Sequence, residues 1–298
     1  MARILVAGCG YVGTALARRL LGDGHTVFGL RRQSEGLPAG IQPIAADLCD
    51  PTSLRAALAA VEHGGIDAVV YAAAAGRGDA ESYRRIYVDG LRHIVEWANA
   101  QGMRPPHVLF TSSTAVYAQS DGEWVDESSP TEPTQFSGTL MLEAEGLLAR
   151  ATGGGTVLRL GGIYGPGRTR LIDSVRTGRA SIRAGAPRWT NRIHREDAAG
   201  ALHHLLARAL SNAPVGAVVI GVDDEPADEA EVLRWLATKL AVDPPAVAAE
   251  EAPDLARTGR GATNKRCRNR GLRESGYEFR YPTYREGYGA LIDAAAKS

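Results

Sequence analysis

The chain has 298 residues, of which 44% are apolar and 23% charged, and 34 basic side chains balance 34 acidic ones. This is the composition of a globular protein with one large domain, or with a large domain and a smaller lobe. The balanced charge argues against nucleic acid or an anionic membrane as a partner, and no apolar run approaches the roughly 20 residues that span a bilayer. Three cysteines without paired spacing argue against a disulfide framework or a metal site and predict a cytoplasmic protein.

In the first half of the chain, short apolar runs alternate with helical patterns, which is typical of a parallel sheet with crossover helices. The predicted strands are residues 3–7, 25–30, 41–45, 68–73, 107–112 and 156–160. The predicted helices between them are residues 11–21, 53–61, 82–100 and 139–150. Together these elements predict an α/β fold built on a doubly wound parallel sheet, a Rossmann domain.

The pattern changes after residue 164. Residues 165–195 are rich in glycine and arginine and show little periodicity, and a helix capped by Asp197 and a strand at 216–220 follow. The sequence therefore predicts a small C-terminal substrate lobe beside the Rossmann domain. The predicted division assigns residues 1–164 and about 191–222 to the Rossmann domain, and residues 165–190 and about 223–298 to the lobe.

A glycine-rich turn follows the first predicted strand and opens a helix. Gly8, Gly10 and Gly13 form a G-x-G-x-x-G pattern, with Tyr11 and Val12 between the last two glycines. In this context the first glycine permits a tight turn, the second lets the backbone approach a diphosphate, and the third lets helix and strand pack closely. The helix N-terminus adds free N–H groups and a partial positive charge. The pattern predicts a dinucleotide site, the alternative being a glycine turn without a ligand.

The end of the second predicted strand indicates which dinucleotide binds. Sites that prefer NAD place an Asp or Glu there to bond the ribose 2′-hydroxyl. This chain has Arg31 and Arg32 instead, and a guanidinium pairs well with a 2′-phosphate. We therefore predict that NADP(H) is preferred over NAD(H). The alternative is that both arginines are merely solvated.

Several segments together resemble the extended short-chain dehydrogenase/reductase family of the NAD-dependent epimerase/dehydratase type. Besides the glycine turn, they include residues 46–48, 88–90, 111–117, 159–168, 193–197 and 281–287. The resemblance implies that Ser113 faces the nicotinamide and that helices 82–100 and 139–150 form a homodimer interface. It also implies cofactor contacts from Asp47, Leu48, Ala72, Ala73, Ala74 and Ser112.

The sequence departs from that family where its chemistry is usually performed. The family carries Y-x-x-x-K on the helix after a proline-rich loop, and matching the end of this helix puts Ser137 at the tyrosine position and Met141 at the lysine position. A positioned acid or base contributes roughly 10²–10⁴ in rate. Methionine carries no charge, and serine has a much higher pKa than tyrosine. The loss argues against ordinary alcohol oxidation or sugar epimerisation.

Three hydroxyl side chains are candidates for residual chemistry. Ser113 either donates a hydrogen bond to a substrate carbonyl or satisfies the local backbone. Tyr117 and Tyr164 lie in loops that the family places near the site, so each either replaces the missing acid or simply packs. The arginines of residues 168–195 form either a site for an anionic ligand or a solvated face balanced by acidic residues 223–254.

Two functions follow from this pattern. The first is an NADP(H)-dependent oxidoreductase of the epimerase/dehydratase type that acts on a small, anionic molecule with a non-standard proton donor. The alternative is a non-catalytic NADP(H)-binding redox sensor or regulatory protein, which the loss of the tyrosine and lysine favours.

Overall fold

The computed structural model describes residues 1–62, 64–76, 78–101, 105–248 and 263–297. Its strands, in chain order, are β1 (Arg3–Ala7), β2 (Thr26–Arg31), β3 (Gln42–Ala45), β4 (Ala68–Tyr71), β5 (His107–Ser113), β6 (Glu123–Val125), β7 (Gly155–Leu160), β8 (Gly162–Tyr164), β9 (Ile182–Arg183), β10 (Trp189–Thr190), β11 (Arg192–His194), β12 (Val218–Gly221), β13 (Ala227–Asp228), β14 (Val247–Ala248) and β15 (Lys265–Cys267). Its α-helices are α1 (Tyr11–Gly22), α2 (Pro51–Glu62), α3 (Ala80–Tyr83), α4 (Gly90–Asn99), α5 (Phe136–Leu148), α6 (Arg170–Arg176), α7 (Arg195–Leu210), α8 (Glu229–Leu240), α9 (Arg270–Glu274) and α10 (Tyr284–Ala295).

Seven strands form one parallel sheet in the order β12-β7-β5-β4-β1-β2-β3, which confirms the predicted doubly wound fold. β1 pairs with both β2 and β4, so the chain reverses direction across the sheet at this point. Ligands of such sheets bind at this switch point, beyond the carboxyl ends of the strands. The fold therefore places the glycine turn after β1 at the expected crevice.

Both faces of the sheet are buried, as the continuous apolar runs predict. Along β1, Leu5 and Ala7 pack on the face that α2, α4 and α5 cover, whereas Ile4 and Val6 pack on the face that α1 and α7 cover. Successive side chains of a strand point to opposite faces, so a strand buried on both sides must be apolar throughout. The run from Arg3 to Ala7 therefore encodes a central strand.

The predicted helix 82–100 is not one continuous α-helix. A π-helical segment, Arg84–Asp89, separates α3 from α4. The Tyr71 hydroxyl donates a hydrogen bond to the Ile86 carbonyl, and a Cβ at Gly90 would lie 2.5 Å from the same hydroxyl oxygen. A side chain that competes for a helical carbonyl loosens the ladder and produces such segments.

A third, smaller core lies apart from the sheet. Its buried members come from α6, α8, α10, the short strands β9 and β13, and the strand end at Tyr164. The segment around β15 belongs elsewhere, because β15 pairs with β6 and Cys267 joins the core beneath α5. Leu272, Tyr277 and Phe279 likewise pack with α1 and α7. These side chains within residues 265–279 thus pack in the two cores that flank the seven-stranded sheet, although the sequence pattern assigns them to the lobe.

Candidate functional site

The three glycines of the turn after β1 meet three different steric demands. Gly8 has φ +91°, and a Cβ there would lie 2.2 Å from the Ala73 nitrogen. At Gly13 a Cβ would lie 2.5 Å from the Gly8 carbonyl oxygen, so helix α1 approaches the turn closely. A Cβ at Gly10 would meet nothing nearer than 4.0 Å, which leaves open space beside its backbone. A diphosphate fits at this open position.

The free amides at the turn belong to the first turn of α1. The Gly8 and Cys9 amides donate to the Leu30 carbonyl at 2.9 and 3.0 Å, and the Gly10 amide donates to the Gly8 carbonyl at 2.7 Å. The first intrahelical bond runs from Thr14 N to the Gly10 carbonyl, and within the described residues no side chain caps α1. The N–H groups of Tyr11, Val12 and Gly13 are therefore the donors available to an anion.

Arg31 is the last residue of β2 and Arg32 follows it, next to the glycine turn. Arg31 is half-buried, and its guanidinium donates a hydrogen bond to the Glu35 carbonyl. Burial raises the pKa of the Cys9 thiol, and the charge of Arg31 partly opposes this shift, which puts Arg31 within electrostatic reach of the turn. Arg32 is exposed. Both cations are available to a phosphate on the adenosine side.

The other residues of the predicted cofactor contacts lie along the same edge of the sheet. Asp47 Oδ1 accepts a hydrogen bond from the Cys49 amide at 2.9 Å, and the buried Leu48 bonds His93 Nδ1 through its carbonyl at 2.9 Å. Beyond β4, the Ala72 amide donates to the Ala7 carbonyl at 2.8 Å, Ala73 contacts Gly8, and Ala74 is exposed.

Ser112 and Ser113 end β5 with different partners. The buried Ser112 hydroxyl donates to Glu145 Oε1 at 2.6 Å. Ser113 Oγ accepts a hydrogen bond from the Ala115 amide at 3.1 Å and so caps the 3₁₀ turn Thr114–Val116. The Ser113 proton is still available, because in this bond the hydroxyl acts only as an acceptor.

Tyr117 lies in a buried polar network that the sequence does not predict. Arg159 donates to Glu145 through Nε at 3.0 Å and Nη2 at 2.7 Å, and to the Tyr117 hydroxyl through Nη1 at 2.7 Å. Lys265 Nζ donates to the Tyr117 carbonyl at 2.8 Å. Burial raises the pKa of Tyr117 to about 12, although Arg159 opposes the shift. Tyr117 has no exposed surface, so its hydroxyl does not face the crevice.

Tyr164 lies in the third core, apart from Tyr117. Its ring centroid is 4.3 Å from that of Tyr288 and 5.3 Å from that of His194. Its hydroxyl is buried without a hydrogen-bond partner among the described residues, and burial raises its pKa. The two candidate tyrosines therefore belong to different cores of the molecule.

The first two turns of α5 contain the two positions where the sequence predicts loss of the catalytic pair. Ser137 and Met141 are both buried. A Cβ at Gly138 would lie 2.5 Å from the Ala115 carbonyl oxygen, so α5 packs directly on the turn that Ser113 caps. Ser137 and Met141 lie four residues apart and so share one face of α5, and neither side chain offers an acid or a base.

A further contact was not predicted because it joins distant segments. The Arg168 guanidinium carbon lies 4.0 Å from the Tyr11 ring centroid, and that of Arg195 lies 5.2 Å away. The Tyr11 hydroxyl donates to the Pro166 carbonyl at 2.9 Å. The glycine-rich loop after β8 therefore covers the start of α1 and brings Arg168 to it, whereas Arg195 reaches the same ring from the start of α7. Both arginines lie in the basic stretch of residues 168–195. The sequence pattern of that stretch does not predict that both contact Tyr11.

Within the described ranges, no three side chains of His, Cys, Asp or Glu are grouped so as to hold a metal ion. In the same part of the chain, none of the helices combines the length and apolarity needed to traverse a bilayer.

The fold and the glycine turn define a protein of the NAD(P)-binding oxidoreductase class. Residues 4–221 match the model of the NAD dependent epimerase/dehydratase family, and the chain belongs to that family. A 3-diazoavenalumate denitrifying reductase from a Streptomyces species is 31% identical, with 96% of this chain and 99% of that protein covered. Protein YeeZ of Escherichia coli K12 is 29% identical, with 95% of this chain and 97% of that protein covered.

Solved structures show the same architecture over nearly the whole chain. A protein of Methylobacillus flagellatus, described as a proposed NAD-dependent epimerase/dehydratase, is 40% identical with a TM-score of 0.80, covering 99% of both chains. The human epimerase family protein SDR39U1, solved with NADPH, is 23% identical with a TM-score of 0.78, covering 98% of this chain and 99% of that one. At this low identity, the similarity to the human protein supports the fold alone.

Proposed function

We propose that this protein is an NADP(H)-dependent reductase that acts on a small anionic molecule without a tyrosine as proton donor. The observation that carries the proposal is the pairing of a complete diphosphate cradle at Gly10 with an α5 surface whose Ser137 and Met141 offer no acid. When bound, the reduced nicotinamide supplies a hydride. The residues of this chain therefore have to bind and orient the substrate and exclude water. They offer no strong proton donor to it.

The preference for NADP(H) rests on Arg31 and Arg32. A guanidinium pairs with a phosphate by charge-assisted hydrogen bonds but cannot accept one from a ribose hydroxyl. Arg32 is exposed, and Arg31 has one bond to a backbone carbonyl, so both retain donors for a 2′-phosphate.

The proposed role of Ser113 is to orient the reacting group of the substrate. Its oxygen is held in place by the Ala115 amide, and its O–H bond remains free to turn towards an acceptor. The burial of Tyr117 and Tyr164 leaves neither as a proton donor in this proposal. A hydroxyl of this kind polarises an acceptor but does not transfer a proton readily, since its pKa stays far above neutral.

Such a site suits an acceptor whose reduction needs no proton from the protein. The relative that acts on 3-diazoavenalumate is named for loss of nitrogen from a diazo group. If the diazo group reacts as a cationic diazonium, the carbon–nitrogen bond breaks, dinitrogen leaves, and hydride supplies both the hydrogen and the electron pair of the new carbon–hydrogen bond. We extend this reaction class to the present chain: hydride transfer to a cationic acceptor, a diazonium or an iminium, on an anionic small molecule.

We propose that the third core forms the lobe that holds the substrate. It packs α6, α8 and α10 around Tyr164, at the end of β8. Its arginine-rich segments offer a cationic wall to an anionic substrate. The predicted homodimer through α4 and α5 belongs to the same proposal and is checked by light scattering on the purified protein.

Calorimetric titration with NADP⁺ and NAD⁺ tests the proposed cofactor preference. Wild-type protein is expected to bind NADP⁺ more tightly, and loss of a charge-assisted hydrogen bond in Arg31→Ala or Arg32→Ala is expected to weaken NADP⁺ about tenfold. NAD⁺ binding is expected to stay unchanged in both variants. Arg179→Ala, which removes an exposed arginine elsewhere, is the matched control. Equal affinity of the wild-type protein for both dinucleotides contradicts the preference.

Deuterium transfer from NADPH labelled at C4 of the nicotinamide tests the proposed hydride transfer. The expected result is deuterium on the carbon that carried the nitrogen of an aryl diazonium carboxylate, or on an iminium carbon, with simple ketones and aldehydes unreacted. Fast reduction of carbonyls, with a rate that falls as an acidic group of the enzyme ionises, contradicts the proposal. Tight cofactor binding without transfer to any acceptor favours the redox-sensor alternative instead.

A further inference from the structure

A groove with a volume of about 470 Å³ begins at the glycine turn and follows helix α1. One wall consists of Gly10, Thr14 and Arg18, together with the residue that follows each of them. Residues four apart lie on one face of a helix, so these positions form a continuous stripe about 12 Å long. We call this surface the arginine groove.

The opposite wall brings two distant segments to the same place. Arg195 and Glu196 come from the start of α7, and Arg280 comes from the segment before α10. The Arg280 amide is anchored to Asp197 Oδ1 at 2.7 Å, which fixes the backbone of that segment against α7. The wall is therefore built by tertiary contacts and is not a chance feature of one helix.

The charges in the arginine groove are unbalanced. Four arginines line it, and Glu196 is the single acidic residue among its lining side chains. Glu196 already pairs with Arg195 at 2.7 Å and with Arg19 at 3.4 Å. Within the described residues, neither Arg18 nor Arg280 has a carboxylate partner. A concave surface of one sign concentrates counter-ions.

The N-terminus of α1 adds to the same positive potential. Arg168 and Arg195 both stack on the Tyr11 ring, at the point where the groove meets the glycine turn. The free amides of the first helical turn carry a partial positive charge there. A diphosphate at Gly10 would use these amides but would leave Arg18 and Arg280 unpaired, since they lie two turns along α1 and on the opposite wall.

We propose that the arginine groove binds a small phosphate-bearing anion while the glycine turn holds its dinucleotide. Guanidinium groups bind phosphate oxygens in pairs, and the groove has the volume of a small-molecule site. The groove and the glycine turn share Gly10 and Tyr11, so two anions would lie near one helix end and repel each other. Each ligand is therefore expected to weaken the other about two- to fourfold.

Titration calorimetry with inorganic pyrophosphate tests this inference. Pyrophosphate is expected to bind to protein saturated with NADP⁺, and the double variant R18A/R280A is expected to bind it at least about tenfold more weakly. R179A/R270A is the matched control, since it removes two exposed arginines outside the groove and changes the net charge equally. Thermal unfolding confirms that both variants fold, and R18K/R280K, which keeps the charge, provides a second variant.

Three results overturn the proposal. They are no binding of pyrophosphate, equal binding by R18A/R280A and R179A/R270A, and complete displacement of pyrophosphate by NADP⁺, which would place it at the glycine turn alone. ADP in place of pyrophosphate shows whether a nucleotide or a simple phosphate is favoured. Titration of cofactor-free protein separates this inference from the proposed function, because loss in R18A/R280A can be seen there even if NADP⁺ does not bind.

Discussion

The glycine turn and the first two turns of α5 differ in what they offer to a nicotinamide dinucleotide. At the turn, every steric feature needed to hold a diphosphate is present, from the left-handed Gly8 to the open backbone at Gly10. At α5, the helix packs closely on the Ser113 turn, and the buried side chains there include Ser137 and Met141. The glycine turn thus has the backbone geometry for binding, whereas Ser137 and Met141 supply neither an acid nor a base.

This difference teaches that binding and proton transfer are separable parts of the fold. One turn beyond Met141, α5 carries Glu145, whose carboxylate holds Arg159 in the core. A buried ion pair costs desolvation but fixes its partners, and removing one member is far worse than keeping both. The chain thus uses charge in α5 for structure, and leaves the reacting position neutral.

The largest expected effect concerns that buried pair. Glu145→Ala leaves the Arg159 guanidinium buried and uncompensated, and is expected to lower the free energy of unfolding by about 4 kcal/mol. Urea denaturation measures this change. Glu143→Ala, two residues away, removes only an exposed pair with Arg84 and is expected to cost less than about 1 kcal/mol. The double variant E145L/R159M, which removes both charges, is expected to recover most of the loss. A small effect of Glu145→Ala would mean that the stability of α5 does not depend on the ion pair with Arg159.

Gly8→Ala tests the other region. The left-handed φ of +91° and the 2.2 Å approach to Ala73 N together predict a loss of about 3 kcal/mol in the free energy of unfolding, with dinucleotide binding abolished. Calorimetry and urea denaturation report the two effects separately. Gly146→Ala in α5 is the control, because its Cβ meets nothing within 4 Å. It is expected to stabilise the protein slightly. Normal cofactor binding by Gly8→Ala would refute the steric account of the turn.

The pH dependence of stability tests whether His194 is buried in its neutral form at the start of α7. Burial lowers the pKa of His194 to about 4, with Glu196 opposing and Arg195 and Arg280 adding to the shift. Because the folded pKa lies below the unfolded value of about 6.5, this contribution is present above pH 6.5 and is lost as the pH falls towards 4. The loss corresponds to about 3 kcal/mol.

The comparison with His194→Asn isolates this contribution. Asparagine also offers an oxygen to the Glu196 amide, which His194 caps at 3.2 Å, but it does not titrate. The difference in unfolding free energy between the two proteins is expected to shrink between pH 6.5 and 4. The carboxyls of Asp197 and Asp223, whose pKa values burial raises, are common to both proteins and cancel. A constant difference across this range would show that His194 is not buried in its neutral form.

The smallest expected effect is that of Ser137→Ala. A positioned acid contributes roughly 10²–10⁴ in rate, so an unchanged rate, within about threefold, indicates that Ser137 is not the acid. Single-turnover reduction of an aryl diazonium carboxylate measures this. Ser113→Ala is the companion variant, expected to be about tenfold slower through loss of one orienting hydrogen bond. A hundredfold loss in Ser137→Ala would restore a conventional acid to α5.

The local features of the fold could be predicted from the sequence, because they depend on neighbouring residues. Apolar runs buried on both faces set the strands, and the glycine spacing after β1 set the dinucleotide turn. The continuous helix predicted for 82–100 was wrong in its middle. Its π-helical segment depends on the Tyr71 hydroxyl, which comes from another strand and leaves no trace in helical periodicity.

The sequence by itself determined which residues could hold a dinucleotide, because a turn of glycines and two arginines after a strand has few other uses. Only the tertiary structure decided which hydroxyls face the crevice. Tyr117 and Tyr164 are equivalent in the sequence, yet one is bonded to Arg159 and the other lies in a separate core. Only the tertiary structure likewise brings Arg18 and Arg280, which are distant in the sequence, into the arginine groove. Burial and electrostatic potential are sums over distant neighbours, so no local pattern encodes them.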